Sequence, residues 1–178
     1  LAMGTFDDVN AISKIAVNTH LAGAAGTVAG ATITRLMAGK TDIVMMLNGA
    51  LAGLVAITAE PLTPSPLLAI LIGFVGALIM YFGTKFLESQ RLDDVVGAIP
   101  VHMFAGIFGT LVVPASNPET NFGTQFLGVI SVCVFSFVLS YFVFRSMKAT
   151  IGLRISKEAE KLGTDKAEVG VVAYSIRD

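Results

Sequence analysis

Two stretches leave this chain few folds to choose from. Residues 65–87, SPLLAILIGFVGALIMYFGTKFL, and residues 124–144, TQFLGVISVCVFSFVLSYFVF, are long, predominantly apolar runs. A bilayer core about 30 Å thick is crossed by roughly 20 apolar residues in a helix. Three further runs read as spans: 17–37, VNTHLAGAAGTVAGATITRLM; 43–58, IVMMLNGALAGLVAIT; and 96–113, VGAIPVHMFAGIFGTLVV. These three are weaker in hydropathy because they carry Asn, His, Thr and much Gly. None of the five alternates polar and apolar residues as membrane-barrel strands do. The expected fold class is therefore all-α, a polytopic bundle of membrane helices.

Composition and charge support this. Charged residues make up 14% of the chain and hydrophobic residues 54%, whereas a soluble domain carries about 25% charged residues. A net charge of −1 argues against a nucleic-acid partner. Arg35 and Lys40 lie between the first two spans, and Lys85 and Arg91 between the third and fourth. Arg145, Lys148, Arg154, Lys157, Lys161, Lys166 and Arg177 follow the fifth. The other two loops, 59–66 and 114–121, hold no Lys or Arg, and only Lys14 lies on their side. Basic residues collect on the cytoplasmic side of a membrane protein. The chain is thus expected to be multi-pass in the cell (inner) membrane, with residues 1–16 extracytoplasmic, 17–152 the membrane domain and 153–178 a cytoplasmic tail. No charged n-region precedes a short apolar segment, so no signal peptide is expected.

Without a hydrophobic force between helices in lipid, small residues four apart mark close helix contacts. Ala22, Gly26 and Gly30, then Gly49 and Gly53, Gly73 and Ala77, and Ala105 and Gly109 have that spacing. These glycines are expected to make room for neighbouring helices.

Polar groups at membrane depth are costly and face a bundle interior or a cavity. His102 lies near the middle of the fourth span, and Asn48 near the middle of the second. An imidazole titrates near neutral pH and has a donor and an acceptor nitrogen. His102 is therefore either a proton carrier or substrate contact, or a hydrogen bond between helices; it is expected to be buried among helices. Pro100 removes a backbone donor and is expected to loosen that helix. Asn48 reads as interhelical glue. Asn18 and His20, near the outer end of the first span, suit a vestibule or a surface role as well as they suit chemistry. Glu60 and Pro61 are expected to be solvated. Two His and the single Cys133 give no metal spacing, and no metal or cofactor is expected. Ser131, Ser136 and Ser140 lack the setting of a protease nucleophile, and no enzyme activity is expected.

Several strings in order resemble the second half of the Amt/Rh ammonium transporter family, of Amt type. They are VNTHLAGAAG (17–26), GK (39–40) followed by NGALAGLVAIT (48–58), the acid pair Asp93–Asp94 eight residues before His102, VHMFAGIFG (101–109) and GLR (152–154). The resemblance implies an ammonium or ammonia transporter of eleven helices, in which 1–16 would hold the end of the sixth helix and the five spans would be helices seven to eleven. It implies a homotrimer with one pore per subunit, and a chain working with the N-terminal half of the same transporter. His102 matches the second of two facing pore histidines that help carry the proton, Ala98 a pore-lining position, and Asp94 the acid pair at the cytoplasmic start of that helix. Asp165, Glu168, Gly170, Ala173 and Tyr174 match the cytoplasmic tail, where a PII-class regulatory protein is the expected partner. The chain departs from the pattern at Asn48, Gly97, Pro100, Met103, Val169 and Val171. Gly97, Pro100 and Met103 favour an alternative, an Amt-like sensor with little flux. A non-transporting membrane subunit that keeps the fold is a further alternative.

Overall fold

The computed structural model describes residues 4–172. Helix α1 spans Phe6–Ala38, α2 Ile43–Thr58, and α3 Pro66–Ser89. A π-helical turn, Ile99–Phe104, runs directly into α4, Ala105–Val112, and a closing 3₁₀ turn, Val113–Ala115. Helix α5 spans Phe122–Thr150, α6 Lys157–Leu162, and a last π turn Asp165–Val169. The described residues divide between Ser131 and Val132 into two compact units.

The helix boundaries follow from local chemistry. Thr5 and Asp8 form a capping box: the Thr5 hydroxyl accepts from Asp8 N at 3.2 Å, and the Asp8 carboxylate accepts from Thr5 N at 3.0 Å. Gly39 closes α1 at φ +72°, in the left-handed region where a side chain is disfavoured. Asp42 caps α2 by accepting from Met45 N at 3.0 Å. Ser65 caps α3, and Pro66 takes its first position, where the missing N–H costs nothing.

The expected break before Val17 does not occur. Helix α1 runs unbroken from Phe6, and its 33 residues extend about 50 Å at 1.5 Å per residue. The polar residues Asp7, Asp8, Asn10, Ser13 and Lys14 lower the hydropathy of this first part without interrupting the backbone ladder. No end of a preceding helix lies among residues 4–16. The second span coincides with α2, and the third and fifth lie within one to six residues of α3 and α5. Of these, α3 and α5 are long and apolar enough to cross a membrane, while α2 and residues 99–115 are shorter apolar helices.

In the first unit, α1, α2 and α3 pack by backbone approach at the small residues. A Cβ on Gly26 would stand 3.0 Å from the Gly49 carbonyl carbon and 3.2 Å from Gly53 Cα. One on Gly73 would stand 2.6 Å from Ala22 Cα, and one on Gly109 2.8 Å from Ala56 Cα. The core between the helices is correspondingly small: Ala22, Ala56, Ile57, Ala69 and Ile72 form one cluster, and Ala52, Met80, Val101 and Ala105 another.

In the second unit, Ser156 caps α6 by accepting from Ala159 N at 3.1 Å, and Arg154 pairs with Glu160 at 2.6 Å. Gly170 ends the last turn at φ +74°. Asp165 and Glu168 lie in that turn; Ala173 and Tyr174 lie outside the described residues. Helix α5, which begins in the first unit, is apolar nearly all round and has no buried residue.

Two outcomes follow. Gly26→Ala should lower the stability of the detergent-solubilised protein by about 1–3 kcal/mol, the usual cost of overpacking. Gly128→Ala, with open space around its Cβ position, should not; thermal unfolding compares the two. The Thr5 hydroxyl, then the Gly4 and Thr5 amides, hold the Asp8 carboxyl below its usual value. A depressed carboxylate stabilises the fold above its unfolded pKa, and that contribution is lost as pH falls through the lower folded value. Acidification below the ordinary carboxylate range should therefore fray the first turn of α1, read as faster amide exchange at Thr5 and Asp8.

Candidate functional site

The site is built from the first turn of the helix that carries His102. Asp94 Oδ1 accepts from Ala98 N at 2.9 Å, and its Oδ2 accepts from Ile99 N at 2.8 Å. One carboxylate thus satisfies two of the donors that a helix start leaves without partners, and its charge suits the positive end of the helix dipole. Gly97, buried at φ +74°, makes the turn into the helix, and its N–H returns to Asp94 O at 3.1 Å. Asn48 Nδ2, from α2, donates to Val96 O at 3.0 Å. Asn48 therefore joins α2 to this turn rather than to another helix body.

Pro100 acts differently from expectation. The helix starts at Ile99, so Pro100 sits in its first turn, where its missing N–H leaves no bond broken. Five residues on, Ala105 N donates to both His102 O and Pro100 O, which makes the turn wide. Such i→i+5 turns occur preferentially at functional positions.

The same turn sorts its side chains. Pro100 and Val101 are buried, with Val101 packed beside Ala52 and Met80. Ala98, Ile99, His102 and Met103 are exposed. Ala98 and His102, four residues apart, share one face. The expected burial of His102 among these helices is thus corrected: the wide turn directs Pro100 and Val101 inward and leaves His102 on the open side. Its ring makes no hydrogen bond among the described residues. A neighbouring apolar concavity of about 420 Å³ is lined by Phe104, Ile107, Phe108, Leu111, Val112 and Phe122, without His102.

The opposite end of the unit carries a polar network whose geometry sequence reasoning did not reach. Asn18 is fully buried and donates through Nδ2 to Pro61 O and Pro64 O, each at 2.9 Å. Its expected vestibule or surface role is therefore replaced by a staple between α1 and the α2–α3 loop. Glu60 is half-buried rather than solvated: it accepts from Leu62 N, Thr63 N and Asn117 Nδ2 at 3.2, 3.3 and 3.2 Å. Thr63 Oγ1 meets Ser116 Oγ at 3.1 Å. His20 is exposed, with Nδ1 2.7 Å from Ala16 O on its own helix. Partners 43 to 57 residues apart leave no periodic signal in sequence.

A family model, the Ammonium Transporter Family, matches residues 3–174. The chain belongs to that family. It is 40% identical over 183 residues to the ammonium transporter Amt2 of Archaeoglobus fulgidus, covering 92% of this chain and 39% of that protein. It is 31% identical over 189 residues to the ammonium transporter of Corynebacterium glutamicum, covering 97% of this chain and 42% of the other. The chain thus spans about two fifths of the length of these curated relatives. A solved structure described as a sensor Amt protein superimposes with a TM-score of 0.81 at 31% identity, over 88% of this chain and 42% of that one. Candida albicans Mep2 matches in fold with a TM-score of 0.75 at 24% identity, over 88% of this chain and 39% of the other. This member of the ammonium transporter family has the all-helical transporter fold.

Asp94→Ala should cost about 0.5–2 kcal/mol, as loss of a helix cap does. The Ala98 and Ile99 amides should exchange faster while those inside α1 stay protected. Hydrogen exchange read by mass spectrometry checks this.

Proposed function

We propose that the chain is the C-terminal half of an ammonium transporter and that His102 relays a proton beside an ammonia-conducting pore. One observation carries the reading: His102 stands unpartnered on an open face of an otherwise apolar helix that α2 and α3 hold from behind. A polar ring left against lipid is expensive, so this face is suited to another protein wall with a narrow passage between. Ala98, one turn earlier on the same face, lines the passage. Asp94 and Asn48 support the helix that presents both. A bare ammonium ion in the bilayer costs several kcal/mol or more. Separating it into neutral ammonia and a relayed proton avoids that cost, and a neutral imidazole exchanges donor for acceptor as it passes the proton on. Potassium has no proton to give up and is excluded.

In this reading the N-terminal half of the same transporter supplies the facing wall, the assembly is a homotrimer in the cell (inner) membrane, and the tail is cytoplasmic. A PII-class protein binds that tail. The family names, the charge segregation of the loops and the fold similarity support these assignments.

A second reading is a sensor that binds ammonium and conducts little. It is favoured by the 31% identity and TM-score of 0.81 to a structure described as a sensor Amt protein.

The test is ammonium-driven current across liposomes containing the complete transporter. His102→Ala should reduce the current by about tenfold or more, equivalent to about 1.4 kcal/mol on the transfer step. Unchanged current would remove His102 from the mechanism; ammonium binding without current in the unaltered protein would select the sensor.

A further inference from the structure

We propose that Asn48 is a positioning residue for His102, acting through the turn at Val96 and Gly97. This rests on the reading of His102 as the proton relay.

Three observations carry it. Asn48 Nδ2 donates to Val96 O at 3.0 Å, across 48 residues of sequence. A Cβ on Gly97 would stand 2.8 Å from the same Nδ2, so the amide fills the space that any side chain at 97 would take. Asn48 also precedes Gly49, whose backbone lies against Gly26 and Gly30 of α1. The amide is therefore mounted beside a close backbone contact between α1 and α2, where a Cβ on Gly49 would stand 3.2 Å from Gly30 Cα.

The turn it grips leads straight into the helix that carries His102. Asp94 ties the turn to Ala98 and Ile99 from within the segment, but a local cap cannot set where the segment sits on the bundle. Asn48 does, because among the described residues its bond is the side-chain hydrogen bond that joins α2 to this turn. Two residues later Pro100 and Val101 enter the packed side, and His102 is left on the open side. His102 lies inside the π turn Ile99–Phe104, a rare single-turn departure from the α-helix, so the direction of the imidazole depends on where the turn begins. Asn48 and Gly97 are also two of the positions at which the chain departs from the family pattern, and here they are in contact. The two positions are matched: a residue other than glycine at 97 would displace the amide, and a shorter side chain at 48 would release the Val96 carbonyl.

The experiment is a double-mutant cycle on ammonium current in liposomes containing the complete transporter, with ammonium chloride as the probe. Asn48→Ala should lower the maximal current about fivefold with the half-saturating ammonium concentration unchanged, because the relay is misdirected while entry is not. In the His102→Ala background it should cause no further loss. Exchange of the Ala98–Met103 amides should rise in Asn48→Ala. Equal losses in both backgrounds, or a loss confined to half-saturation, would overturn the positioning role while leaving His102 in place. Normal current in Asn48→Ala beside a reduced current in His102→Ala would do the same. Normal current in His102→Ala would overturn the relay reading, and the positioning role with it. Should Asn48→Ala fail to assemble, Gly97→Ala disturbs the same contact from the other side and must reproduce the pattern for the proposal to stand.

Discussion

The contact on which the rest depends is backbone against backbone. Gly26 of α1 meets Gly49 and Gly53 of α2, Ala22 meets Gly73 of α3, and Gly109 of α4 meets Ala56 of α2. In lipid no hydrophobic force draws helices together, so association relies on close packing, and the closest packing needs residues without bulk. Large side chains are displaced to the periphery: Leu47, Leu51, Phe74, Phe82 and Phe86 are exposed, whereas Ala22, Ala52, Ala69 and Ala77 are fully buried. The protein is thus inverted relative to a soluble domain, with small residues inside and apolar bulk outside. That arrangement is tolerable only where the surroundings are themselves apolar.

Rigidity at this seam gives the site its foundation. Asn48 and Val101 both attach the His102 segment to the packed helices, one by a hydrogen bond and one by burial beside Ala52 and Met80. Pro100 lies in the first turn, where it starts the helix instead of breaking it. At the other end, Asn18, Glu60, Thr63, Ser116 and Asn117 tie the loops together through side-chain bonds. The unit is therefore pinned at both ends and tightly packed between, and the exposed face with Ala98 and His102 is carried as one body.

Some of this was legible in the chain and some was not, for physical reasons. The small-residue spacing pointed to the helix contacts because i and i+4 fall on one helix face whatever the neighbours are. Helix α2 was legible to the residue, and the structure adds Asp42 as its cap. The start of α1 was misjudged because hydropathy measures affinity for lipid, whereas helicity depends on the backbone; the Thr5–Asp8 capping box was the signal that marks the true start. For His102, sequence reasoning expected burial among helices, whereas the ring is exposed in the structure. Asn18 was misplaced because a buried amide and an exposed one look alike until the carbonyls of Pro61 and Pro64 are brought to it.

By itself the sequence determined that five apolar segments form helices and which family the chain resembles. These are local or additive properties: hydropathy sums along the chain. Only the tertiary structure decided which face of the fourth segment is covered, that Asn48 reaches Val96, and that Gly97 faces the Asn48 amide. Those are properties of pairs of distant residues, which exist once α1, α2 and α3 have closed on one another and the backbone positions no longer vary independently.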